Sequence, residues 1–152
     1  WSLAAKYSVG AHAFIVAHQR SSGDAGFAYD FGDGGSSIYL ANSYYSDFNL
    51  KDENSWQASY ELNFSEYGVP GLRYKFAYVR GDNIDTVTKG GAVAGSGRSE
   101  WERDLTVAYV IPEGPLKNLG LTWKNAMWRN DIPGQRDQDE NRLIVSYSIP
   151  LL

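Results

Sequence analysis

Five basic residues carry the clearest chemical pattern in this chain: Lys6, Arg73, Lys75, Lys124 and Arg142. Each stands at the polar phase of a segment in which apolar and polar residues alternate, so neighbouring extended segments would bring several cations within reach of one another. A row of guanidinium and ammonium groups offers charged donors to a carboxylate and can pass an anion from site to site. The same polar phases carry Glu61, Glu102 and Asp104. If these acids pair with the cations across neighbouring segments, the charges only solvate a wall. Both readings stand at this level.

A second group of chemically capable residues lies in a Gly-rich stretch. Tyr29-Asp30-Phe31-Gly32-Asp33-Gly34-Gly35, followed by Tyr44-Tyr45-Ser46-Asp47-Phe48, sets acids and aromatics on a permissive backbone. The spacing does not match an EF-hand, and no distal bidentate Glu falls in register. What remains is a loop folded inward as a constriction, or an external loop packed on its own aromatics. His12 and His18, the only imidazoles, share one face of one segment and have no third ligand beside them. A G-x-S-x-G elbow is absent, and the run Gly90 to Gly97 lacks the Lys-Ser/Thr end of a phosphate loop. That run reads as a loop tip. The acidic run Asp137 to Glu140 reads as a solvated loop, with divalent-cation bridging to lipopolysaccharide as the sharper option. Nothing here predicts a cofactor, a metal centre or catalytic turnover. With 14 Lys and Arg against 18 Asp and Glu, the net charge of -4 also argues against a nucleic-acid partner.

The elements that must position these residues are strands. Trp56, Ala58, Tyr60, Leu62 and Phe64 alternate with Gln57, Ser59, Glu61 and Asn63, a period of two. After the turn Gly68-Val69-Pro70-Gly71, Leu72, Tyr74, Phe76 and Tyr78 alternate with Arg73, Lys75 and Ala77. The pattern repeats over Trp101 to Ile111, where only Arg103 spoils the apolar phase, then over Leu119 to Met127 and over Arg142 to Ile149. At the start, Leu3 to Tyr7 and Phe14 to His18 behave likewise. Seven strands result, and an eighth could hide at Ile38-Tyr39-Leu40.

The connections alternate in length. Short turns fall near Gly10, at 68–71 and at 112–118, whereas long polar loops fall at 21–54, 81–98 and 130–140. All long loops therefore lie at one end. An antiparallel up-and-down β-barrel in the outer membrane has this arrangement, with aromatic girdles at both rims. Tyr7, Phe64, Tyr74, Tyr109 and Tyr147 are expected near the short-turn rim, with Trp56, Tyr78 and Trp101 near the other. No apolar run approaches the roughly 20 residues of a membrane-spanning helix, but a membrane strand needs only about 9–11. A soluble lipocalin-like barrel is the plainer alternative, yet Glu61, Arg73, Lys75, Glu102, Asp104, Lys124 and Arg142 make the polar phase too charged for a closed core. Zero Cys in 152 residues excludes disulfide support. Seven strands alone would leave unpaired edges, so they should close with other strands.

Three segments resemble the C-terminal part of the OprD family of outer-membrane porins: Ser36 to Asn49, Glu100 to Asp104, and Asp139 to Val145. The resemblance implies an all-β fold of about seven C-terminal strands from an eighteen-stranded, monomeric barrel, the preceding N-terminal strands completing it. It implies a channel for small carboxylate-bearing nutrients, set in outer-membrane lipid and lipopolysaccharide. Arg73, Lys75, Lys124 and Arg142 would form a basic ladder, and Asp47 with Tyr44 or Tyr45 would line the loop side of a narrow eyelet. Residues 21–54 would be a loop folding toward the pore. Thr122 departs from the family, where a basic residue is often seen. The alternative from a different class is a small, closed eight-stranded barrel with a structural or adhesive role.

Overall fold

The computed structural model describes residues 1–27, 43–88 and 92–148. The alternating segments form strands β1 (Ser2–Val9), β2 (His12–Arg20), β3 (Asn54–Asn63), β4 (Leu72–Val87), β5 (Val93–Val110), β6 (Leu119–Asn130) and β7 (Gln138–Tyr147). They make one antiparallel sheet whose spatial order is the sequence order. β1 and β7 do not pair with each other, so among the described residues the sheet is open at both edges. In hydrocarbon, each backbone group left unpaired at such an edge costs several kcal/mol, so closure needs further strands. The closed eight-stranded alternative does not form from the described residues. Ile38-Tyr39-Leu40, where an eighth strand was possible, lies outside them.

Register follows the alternation, because a slip of one residue would carry every apolar side chain to the opposite face. One polar row runs Glu61, Lys75, Thr106, Lys124, Arg142 across β3 to β7. The adjacent row, Tyr7, Phe14, Tyr60, Phe76, Leu105, belongs to the other face. That face stays uncovered: Leu3, Tyr7, Val16, Trp56, Leu143 and Val145 are all more than half exposed. A sheet presenting contiguous apolar side chains outward is built against lipid, not around its own core.

Aromatics mark both rims of the apolar face. Tyr74, Tyr109 and Tyr147 sit toward the short turns, Phe64 having moved into the turn itself. At the long-loop end, Trp1 and Trp56 flank His18, with ring centroids 4.9 and 4.2 Å from it, and Tyr78 stacks on Trp101 at 5.8 Å. The turn between β3 and β4 is a 3-10 turn, Phe64–Tyr67, whose first free amide, on Ser65, donates to the Asn63 side chain at 3.1 Å. The turn closes at Gly71, where φ is 88° and a Cβ would run into the Val110 carbonyl.

The stretch 81–98 differs from the expected polar loop. β4 continues to Val87 and β5 begins at Val93, with register shifts between Gly81 and Val87. Asp82, Asn83 and Asp85 interrupt the apolar phase, yet Ile84 among them is fully buried and Asp85 pairs with Lys51 of the preceding loop, so tertiary contacts as well as backbone pairing hold this part of the hairpin. Gly95 and Gly97, read as a loop tip, lie within β5. The third long connection is similarly shortened: β7 starts at Gln138, so most of the run Asp137 to Glu140 is strand.

Candidate functional site

The five cations share the polar face but not the same surroundings. Glu61 sits between two of them, 3.4 Å from Lys75 and 4.0 Å from Lys6. Arg142 pairs with Glu140 on its own strand at 2.5 Å. These groups are about half exposed, so each pair is worth about 0–1 kcal/mol and leaves the cation available. Among the described residues, Arg73 and Lys124 form no salt bridge. Lys124 instead places Nζ 4.3 Å from the centroid of the Tyr44 ring. Among the described residues, Glu102 and Asp104 form no salt bridge with the row. The wall is therefore a mixture of the two readings left open by the sequence.

Glu102 has a different task. Its carboxylate accepts the backbone N–H groups of three consecutive loop residues: Tyr44 at 2.7 Å, Tyr45 at 3.0 Å and Ser46 at 3.0 Å. The side chain is fully buried by the loop it holds. Two residues along the strand, Glu100 accepts from Ser46 Oγ at 2.9 Å and from Trp128 Nε1 at 2.6 Å. Residues 43–53 are thus tied to the polar face of β5, and Phe48 packs beneath them on Val79. Phe48 adopts φ 48°, a left-handed conformation unfavourable for a bulky residue that its complete burial holds in place. Further on, Leu50 N–H donates to Glu53 at 2.9 Å, and Lys51 bridges to Asp85 of β4. Burial, with Glu100 alongside, pushes the Glu53 carboxyl up to about 8.

The loop's two tyrosines reach along the wall. Tyr44 Oη meets Thr106 Oγ1 at 2.5 Å, which holds its ring beside Lys124, a neighbour of Thr106 in the row. Tyr45 Oη donates to Glu140 at 3.2 Å, and burial followed by that carboxylate raises the phenol above its ordinary value. Asp47 lies between these contacts and the buried Phe48, half-buried.

Other residues singled out by the sequence fall elsewhere. His12 contacts the hydroxyls of Tyr60 and Tyr67 at 2.8 and 2.9 Å, while His18 contacts the Ser55 carbonyl at 2.9 Å, both on the apolar face. Among the described residues no three His, Cys, Asp or Glu side chains form a metal cluster. Asp139 is held by Arg129 at 2.9 Å, so the acidic run is partly neutralised. Arg103, the misfit of the apolar phase, hydrogen-bonds Asn125. Sequence reasoning missed Glu53, Glu100, Glu102 and Trp128 as the loop's fastening. The alternation of Glu100, Glu102 and Asp104 on one face was the available signal, three acids where a solvated wall needs fewer.

A charged face, to which residues 44–46 are fastened, opposite a lipid-type apolar face is the pattern of a membrane barrel wall. The sequence profile of the outer membrane porin, OprD family, matches residues 1–151. The chain belongs to the OprD family of outer-membrane porins. It is 42% identical to Porin D of Pseudomonas aeruginosa over all of its own length and 38% of that protein, and 35% identical to the porin-like protein GalP of Pseudomonas putida over 95% of its length and 32% of that protein. It thus spans well under half the length of these relatives. The crystal structure of Pseudomonas aeruginosa OpdQ superimposes with a TM-score of 0.86 at 49% identity, covering 99% of this chain and 38% of that one. That of OccK5 (OpdH) gives 0.84 at 44% identity, covering 99% and 40%. The seven strands correspond to the C-terminal part of such 18-stranded OprD-family barrels. OprD-family porins are proteins of the bacterial outer membrane, so the apolar face meets lipid and the polar face the lumen.

Proposed function

We propose that these strands form part of the wall of a substrate-selective diffusion channel for small carboxylate-bearing solutes. The observation that carries this reading is the lumenal row across β3 to β7, in which Lys75, Lys124 and Arg142 stand at one register with Glu61 as the sole acid. Arg73, in the next polar row toward the short turns, and Lys6, beside Glu61, extend it. In a narrow aqueous lumen such charge is less screened than on an open surface and draws anions in. Residues 43–53, with Tyr44, Tyr45 and Asp47, act as the constriction that brings solutes against the cations. The reading makes the protein a monomeric pore embedded in outer-membrane lipid and lipopolysaccharide, with no catalytic step.

Reversal potentials across planar bilayers in a salt gradient, together with liposome uptake of a carboxylate, test this on the full-length porin. Lys124→Gln and Arg73→Gln should each reduce anion preference and uptake. If both equal the parent, the cations only solvate the wall.

A further inference from the structure

Arg103, the one residue out of phase on the apolar face of β5, has no task in the pore. It stands on the lipid side, half-buried, and donates to the Asn125 side chain of β6. Among the described residues no acid forms a salt bridge with it. Strand pairing sets Tyr78 directly opposite Arg103 and Arg80 directly opposite Trp101. The two guanidiniums therefore occupy one diagonal of a four-residue patch and the two rings the other, the rings stacking at 5.8 Å. Diagonal neighbours lie about 7–8 Å apart at the backbone, close enough for two arginines to meet on one ligand. Arg80 is half exposed and gives Nε and Nη2 to Asp82 at 2.9 and 2.8 Å, so its Nη1 donors are left for another acceptor. Arg129, opposite Trp101 on β6, is already answered by Asp137 and Asp139. Arg103 is the cation of this patch that no acid answers.

We propose that Arg103 and Arg80 together hold one phosphate of the outer-leaflet glycolipid, lipopolysaccharide, with the Tyr78–Trp101 pair against its sugar and acyl boundary. Tyr78 and Trp101 belong to the aromatic girdle at the long-loop rim, which sets the patch at headgroup depth on the external side of the membrane. A cation on a lipid-facing surface is costly unless an anion meets it, and in that leaflet the anions are glycolipid phosphates. A phosphate monoester carries three strong acceptor oxygens, enough for two guanidiniums at once, and the planar fork of Arg suits it. A phosphodiester headgroup has fewer free oxygens and less charge. The site lies on the face opposite the lumenal row, so it stands or falls independently of the channel reading.

The test titrates the full-length porin, freed of co-purified lipid in detergent, with bis-phosphorylated lipid A, with the same lipid A stripped of its phosphates, and with phosphatidylglycerol. Native mass spectrometry reads the lipid-bound fraction, and the mobility of the unheated barrel in detergent gels scores the folding of each variant. The phosphate-bearing lipid A should bind the parent about tenfold more tightly than either other lipid, the discrimination expected for one charge-assisted hydrogen-bond set. Arg103→Gln should weaken that binding about tenfold, and Arg80→Gln about threefold because Asp82 already engages part of its fork. Lys117→Gln, which removes an exposed cation at the short-turn end, should leave it unchanged. Equal binding of the three lipids by the parent would overturn the site without recourse to any variant. So would parental affinity in folded Arg103→Gln and Arg80→Gln barrels, or an equal loss in Lys117→Gln, which would reduce the effect to diffuse charge attraction. A lipid-free dimer that Arg103→Gln abolishes would assign the face to a second copy of the chain and overturn it as well.

Discussion

Removing the Glu102 carboxylate should release the loop without unfolding the barrel. Glu102 accepts three backbone N–H groups between 2.7 and 3.0 Å and is fully buried. A hydrogen bond to a charged group is worth about 1.5–3 kcal/mol, and three on one carboxylate are not additive because water replaces some of them once the loop lifts. Taking the low end, Glu102→Ala should weaken local closure of residues 44–46 by about 3–4 kcal/mol. Glu102→Gln keeps one acceptor oxygen and should lose about 1–2 kcal/mol. Amide hydrogen exchange measures local opening directly. With about 1.4 kcal/mol per decade, exchange at Tyr44, Tyr45 and Ser46 should accelerate by roughly two to three orders of magnitude in Glu102→Ala and by about one in Glu102→Gln. Amides in the middle of β3 and β6 should keep their protection. Unchanged exchange at all three loop amides in a folded Glu102→Ala barrel would refute the latch, as would equal loss of protection throughout the sheet.

The same loop should respond to pH. Glu53 has its folded pKa raised from 4.5 to about 8, so its contribution is fully present below its unfolded value and is gone once pH has risen through about 8; loop-amide protection, corrected for intrinsic exchange, should fall between these two values in the parent and level off above about 8, and stay flat in Glu53→Gln. Gly81→Ala should destabilise the loop by about 1–3 kcal/mol, because a Cβ there would overlap the Glu53 carboxyl and lie 3.1 Å from Phe48 Cδ1; limited proteolysis within 43–53 should become faster, and an unchanged cleavage rate would contradict this packing. Leu105→Arg, on the lipid face, should cost about 2–4 kcal/mol in reversible unfolding from lipid vesicles. Lys124→Gln, on the lumenal face, should cost less than about 1 kcal/mol, and equal losses would reverse the assignment of the two faces.

The sequence by itself determined which residues share a face. Alternation such as Leu72, Tyr74, Phe76, Tyr78 against Arg73, Lys75, Ala77 is a property of the extended backbone and needs no partner to be read. The lumenal placement of Lys75, Lys124 and Arg142 and the lipid placement of Trp56 and Leu143 follow from it, and the open seven-stranded edge follows from counting. Tertiary structure decided everything that depends on register and on contact across distance. That Lys75, Lys124 and Arg142 occupy one row, while Arg73 falls in the next, is fixed by strand pairing, to which a period of two is blind. The extension of β4 to Val87 and the start of β5 at Val93 were hidden because Asp82, Asn83 and Asp85 interrupt the alternation and only Ile84 of residues 82–85 is buried. The work of Glu102 was hidden for a different reason: in the sequence it is one more polar residue of a strand, and it becomes a fastening only when a loop 56 to 58 residues away presents three amides to it.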